Sequence, residues 1–148
     1  MVGKRITTTI AENKTAELWR SFMPRRKEIV NSVSTDLYSL QFFDAIGDFL
    51  SFTPDTAFDK WAAVEVADFG SVPDGMETCT LEGLYAIFVY KGLPQDVDPT
   101  FQYIYGVWIP SSQYMLDSRP HFATMGSRYK NNDPDSEEEL WMPIKKKY

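Results

Sequence analysis

Cysteine and histidine are nearly missing from this 148-residue chain, with Cys79 and His121 the sole representatives. A single cysteine excludes an intrachain disulfide and is compatible with a reducing cytosol. One histidine and one cysteine cannot assemble the N/S ligand set of a zinc site. A nucleophilic triad would have to be built on His121, yet no Gly-x-Ser-x-Gly turn accompanies it, and Cys79 lies in "METCTLEG", which reads as a strand edge. The 8 glycines form neither a Walker loop nor a dinucleotide fingerprint, so no phosphate cradle is visible. No metal and no cofactor are expected.

Basic charge is also scarce. Lys and Arg number 15 against 21 Asp and Glu, a net charge of −6. The run Arg25, Arg26, Lys27 reads as a solvated helix face and the terminal "KKKY" as a frayed end. Such a chain lacks the basic face that grips nucleic acid. The acidic "DPDSEEE" lacks cation-loop spacing and reads as a solvated loop. Long apolar runs are absent, and the first fifteen residues contain no signal-peptide core, so the expectation is a cytoplasmic protein with no membrane partner.

Aromatic residues, in contrast, are abundant at 15% of the chain. In surplus they fill cores, and they also line pockets for flat or cationic organic molecules. Their spacing gives a coarse fold. "KRITTTIA" (4–11) suits a strand. Leu18, Trp19, Phe22, Ile29 and Val30 then recur at helical spacing, with Asn13 or Thr15 as N-cap and Pro24 kinking or dividing the helix. "DLYSLQFFD" alternates as a strand with Tyr38, Leu40 and Phe42 on one face; the connection "SFTPDTAFD" leads to another strand, 60–67. The second half repeats this order. "GLYAIFVYKG" (83–92) is a strand, and Phe101, Ile104, Tyr105 and Trp108 mark a helix stopped by Pro110. "HFATM" is a short strand, "SRYKNNDPDSEEE" a surface loop and "LWMPIK" a closing strand, whose Pro143 suggests an edge or a bulge. The predicted fold class is α+β: two pseudo-symmetric strand-helix-strand-strand repeats (about 4–67 and 83–145) in one domain, forming an antiparallel sheet with two helices and a central cleft.

Within "KWAAVEVADF" (60–69), alternation puts Ala62, Val64 and Val66 on the helix-facing side and Trp61, Ala63 and Glu65 on the other. An indole, a small residue and an acid in a row would suit a cleft wall with room at Ala63. Two readings of Glu65 stay open: a solvated or cross-strand-paired acid, or a carboxylate facing a ligand.

Three stretches carry a resemblance to a known family: "FDKWAAVEVADFGSVPDGMETCTLEGLYAIFVYKG", "FQYIYGVWIPSSQYMLDSRPHF" and "SEEELWMPI". Together they resemble the GyrI-like small-molecule-binding family, the effector-binding domain of AraC-type bacterial transcription activators, over nearly the whole chain. The resemblance implies paired strand-helix-strand-strand units around a ligand cleft, walled by aromatics and floored by an acid. In many members that acid follows the Phe of a motif like "RPHFE"; here "RPHFATM" puts Ala123 at the position. The departure makes Glu65 the candidate carboxylate. Trp61, Tyr85 and Trp108 would offer stacking surface, Ala123 and Met125 would shape the floor, and Tyr114 would be a rim or a loop anchor.

The expected function is stand-alone binding of small hydrophobic, aromatic or cationic organic molecules, as an effector sensor or a toxin-sequestering protein. No DNA-binding segment is expected. Two rivals follow from the resemblance: hydrolysis of reactive cyclopropane-type toxins with Glu65 as general base, or an interaction protein that binds gyrase or a regulator. Either a monomer or a homodimer is compatible.

Overall fold

The computed structural model describes residues 1–43, 53–93, 96–130 and 133–147. The first two residues of the expected connection 51–59, and Asn131 and Asn132 of the expected surface loop, lie outside the described residues. One eight-stranded sheet organises the rest. The first half supplies β1 (Val2–Thr8), α1 (Thr15–Phe22), β2 (Leu37–Phe42) and β3 (Phe58–Val64); the second supplies β5 (Tyr85–Lys91), α2 (Asp98–Tyr103), β7 (His121–Met125) and β8 (Glu137–Lys146). Short strands β4 (Glu77–Thr78) and β6 (Tyr114–Leu116) flank them, and sequence periodicity did not show β6. The order is β4-β1-β3-β2-β7-β8-β5, with β6 on β8, and every pairing is antiparallel. Each half contributes three adjacent strands in mirrored order, so the pseudo-two-fold passes between β2 and β7.

Local chemistry explains the boundaries. β1 begins at Val2 because its first residues pair with both β3 and β4. It ends at Thr8, whose buried hydroxyl donates to Glu12 O at 3.0 Å and accepts from Lys14 N at 2.9 Å, turning the chain. Asn13 Oδ1 accepts from Thr15 N at 2.9 Å where α1 starts. Pro24 divides the helix as its missing N–H requires, and a 3₁₀ segment, Met23–Glu28, follows. β3 stops at Val64, short of the expected 67. β1 runs out opposite Val64, and Val66 keeps only an isolated bridge to Ser32.

The expected edge position of the closing strand is corrected: β8 lies inside the sheet, between β7 and β5. Pro143 is accommodated because Ile144 N bonds Leu84 O on the β5 side at 3.0 Å, so Pro143 turns its missing donor to the other flank. There β7 pairing has ended at Trp141 and β6 pairing begins at Ile144.

Helices cover one face only. Leu18 and Phe22 of α1 pack with Val2, Ala62 and Val64, as the alternation of "WAAV" requires. α2 continues through a π-type stretch, Ile104–Trp108, and a last turn, α3 (Ile109–Ser111). This segment packs Ile104, Tyr105 and Trp108 against Phe88, Tyr90, Leu140 and Met142. The opposite, helix-free face carries a third cluster around Leu40, Trp61, Ala63 and Phe122, joined by Tyr38, Phe42, Tyr85 and Trp141. Phe122 and Trp141 stack there with centroids 4.9 Å apart.

β1 and β3 approach so closely at Gly3 that a Cβ there would stand 2.1 Å from the Ala62 carbonyl oxygen. Gly3→Ala is expected to destabilise the protein by about 3 kcal/mol or more, because buried backbone rather than a flexible side chain must move. A urea-unfolding midpoint equal to that of the parent would contradict this reading.

Candidate functional site

α1 sits over β1 and β3, and the α2 segment over β5 and β8. Between them the helix-bearing face exposes the central strands β2 and β7. Their register pairs Leu37 with Met125, Ser39 with Ala123 and Gln41 with His121. Residues paired directly share a face, so these six side chains pave the floor between the helices. Ser39 and Ala123 meet at the pseudo-two-fold, and both are small. The floor therefore dips at its centre.

Charge stands at its two sides. Lys60 on β3 is paired with Gln41 and shares its face. Burial lowers the Lys60 ammonium pKa, and the Glu138 carboxylate opposes that shift. Glu138, two residues from Leu140 on the same side of β8, has its own carboxyl pushed up by burial and pulled back by Lys60. An ammonium and a partly desolvated carboxylate thus face each other across the floor, and among the described residues they form no ion pair within 4 Å.

One end of the floor is walled by aromatics. His121 is 3% exposed. Its Nδ1 lies 3.0 Å from the Tyr105 hydroxyl, which also approaches Met142 Sδ at 3.2 Å. Phe43 meets the imidazole edge-on at 5.1 Å and Phe58 at the same separation. Burial lowers the His121 pKa to about 4 and pushes the Tyr105 hydroxyl up. His121 is consequently neutral at pH 7. The chain offers hydrogen-bonding and aromatic surface here.

The residues expected to form one site are divided between the two faces. Ala123 and Met125 lie on the helix-bearing face, paired with Ser39 and Leu37. Trp61 and Ala63 are buried on the helix-free face instead, where Trp61 packs on Phe42 at 5.7 Å. Tyr85 shares that face: its hydroxyl donates to Pro120 O at 2.8 Å and the Arg119 guanidinium lies 4.8 Å above its ring. Trp108 meets Phe88 edge-on at 5.2 Å in the α2 core. Tyr114 is on β6, opposite Lys146.

Glu65 requires a correction. It is exposed and lies past the end of β3, with its carbonyl held by Val33 N at 3.0 Å. The solvated reading holds, so it is not a buried carboxylate. Sequence reasoning missed Glu138 because "EEE" reads as a loop, whereas these residues open β8 and alternate between faces. Lys60 was missed because it begins the stretch whose acid drew attention. Its signal was available: Lys60 shares the parity of Ala62 and Val64, the helix-facing side.

A hollow of about 480 Å³ lies at the sheet edge along Arg5, Trp61, Met76 and Glu77. It is a shallow trough whose cation, Arg5, is already bound to Glu77 at 3.0 Å and near Asp59 at 3.6 Å.

A duplicated strand-helix-strand-strand sheet, with polar and charged groups gathered on the floor between its helices, defines a small-molecule-binding module. The chain belongs to the GyrI-like small-molecule-binding family, whose domain model matches residues 1–145. It is 25% identical to the transcriptional regulator BrlR of Pseudomonas aeruginosa over 97% of this chain, and it spans only 51% of that protein. Its fold is similar to that of a putative transcription regulation protein from Staphylococcus aureus, with a TM-score of 0.61 and 17% identity, covering 97% of this chain and 90% of the other. The structure of SAV2435 bound to tetraphenylphosphonium is also similar, with a TM-score of 0.57 and 17% identity over 97% of this chain and 87% of that one. No described helix is long and apolar enough to cross a membrane.

The buried imidazole gives a testable pH dependence. With a folded-state pKa of about 4 against the ordinary 6.5, the unfolded chain binds more protons between these values, so stability falls as pH falls through that window. Relative to His121→Gln, the parent protein should lose about 3 kcal/mol between pH 7.5 and pH 4. Parallel urea-unfolding curves for the two proteins across that range would refute a buried neutral His121.

Proposed function

We propose that this chain binds lipophilic organic cations and aromatic compounds on the floor between its helices, over Ser39 and Ala123, serving as an effector sensor or a sequestering protein. The observation that carries this reading is Glu138, a partly desolvated carboxylate on the helix-bearing face, opposed by Lys60 across a floor of small and polar residues. A carboxylate in a low-dielectric setting attracts a poorly hydrated cation strongly, because such a cation gives up little hydration on entering. Glu138 takes the place that Glu65 was expected to fill. Ala123 leaves the centre of the floor without an acid, so the attraction is lateral and is moderated by Lys60. The tetraphenylphosphonium complex of a protein with this fold supports the ligand class, and the relationship to a transcriptional regulator supports a sensing role.

Titration with tetraphenylphosphonium, followed by calorimetry, tests the proposal. Glu138→Gln should weaken binding by about 1 kcal/mol, roughly fivefold, and Lys60→Met should strengthen it by a similar factor. The lipophilic anion tetraphenylborate should respond to both substitutions in the opposite sense. Absence of binding, or cation affinity indifferent to Glu138→Gln, would overturn the assignment.

A further inference from the structure

The helix-free face carries a second constellation, separate from the floor between the helices. Tyr38 pairs with Thr124, Thr124 with Glu139 and Glu139 with Val89, so these four side chains form one row across β2, β7, β8 and β5. A pocket of about 270 Å³ opens at this row, lined among others by Asp36, Val89, Thr124, Arg128, Glu138 and Glu139. Its charge is uneven: Arg128 is engaged by Glu137 at 3.4 Å, whereas Asp36 and Glu139 have no cation within 4 Å among the described residues. Asp36 and Glu139 both line the pocket, and both add to the rise of the neighbouring Tyr38 hydroxyl pKa, which burial and then Glu65 cause more strongly.

A second observation is independent of these acids. Thr124 is 8% exposed and its hydroxyl has no hydrogen-bond partner, although it lies in the middle of the row. A buried hydroxyl left unpaired is costly unless something else satisfies it. The only wall of the row without polar atoms is Val89. Hydroxyl, two carboxylates and an apolar wall together match an alkylammonium: N–H donors for the oxygens and methylenes for the isopropyl group. A bare metal ion matches less well, since no group of three or more ligating side chains is found among the described residues.

We propose that the pocket at Thr124, between Asp36 and Glu139 on the helix-free face, is a binding site for a small alkylammonium such as a diamine or polyamine. The ammonium donates to the Thr124 hydroxyl and to both carboxylates, while its carbon chain lies along Val89. The groups that hold the ammonium, Thr124, Asp36 and Glu139, differ from those on the floor between the helices, although Glu138 borders both places.

Spermidine and putrescine, titrated at low ionic strength by calorimetry, are the probes. The parent protein should bind spermidine, with Asp36→Asn/Glu139→Gln weakening it at least tenfold and Thr124→Val several-fold. Thr124→Val preserves shape and removes an unpaired hydroxyl, so it should fold at least as well as the parent; a purely structural Thr124 would leave spermidine affinity unchanged. Tetraphenylphosphonium affinity should not move with any of these substitutions, which separates failure here from failure at the other face. The proposal is overturned if spermidine does not bind at millimolar concentration, if its affinity survives Asp36→Asn/Glu139→Gln, if Thr124→Val has no effect on it, or if magnesium competes with it as effectively as putrescine does.

Discussion

Everything in this molecule hangs on the five-residue antiparallel pairing of β2 with β7. It is the seam between the halves, and backbone hydrogen bonds across it fix which side chains are neighbours. Antiparallel pairing places partners 4.5–5.5 Å apart and on one face. Ser39 therefore meets Ala123 on the helix side, while Leu40 meets Phe122 on the other. Because each helix covers only the outer strands of its own half, the seam is also where the helix layer parts. The same pairing that joins the halves thus leaves a stretch of sheet uncovered between the helices.

The two faces of the seam are built by opposite solutions. On the helix-free side, aromatic rings substitute for a covering layer: Tyr85, Phe122 and Trp141 contact one another at 4.9 to 5.9 Å, shielding the centre of the sheet. On the helix side, polar and charged groups remain in the gap because helices keep bulk water only partly away. Aromatic surplus in the composition is explained largely by the first solution. Trp61 and Tyr85, read from the sequence as stacking surface, belong to this shielding cluster.

Much of the architecture was legible in the chain. Leu18 and Phe22 at helical spacing, Tyr38, Leu40 and Phe42 in alternation, and Pro24 as a divider each have a local physical cause, and each is found as read. The site was less legible, for a reason that parity makes plain. Alternation separated Trp61 and Ala63 from Ala62 and Val64, yet it cannot say on which face a ligand lies. The register of Ala123 with Ser39 puts both on the face of Ala62 and Lys60, the reverse of the face on which Trp61 lies. Glu65 misled because an acid in an apolar stretch looks buried, whereas the strand ends one residue before it. Glu138 was hidden by the opposite error, since three consecutive glutamates look solvated even when a strand distributes them.

That distribution gives Pro143 a further meaning. Glu138 and Glu139 are adjacent in the chain but serve opposite faces, so a slip of β8 by one residue would exchange them across the sheet. The same slip would turn the nitrogen of Pro143 toward β5, where Ile144 now donates to Leu84, and would orphan a carbonyl there. Proline, unable to donate on either flank, is tolerated in one register and penalised in the next. It works as a ratchet pin for the strand, holding each carboxylate on its own side and keeping two chemically different surfaces from trading charge.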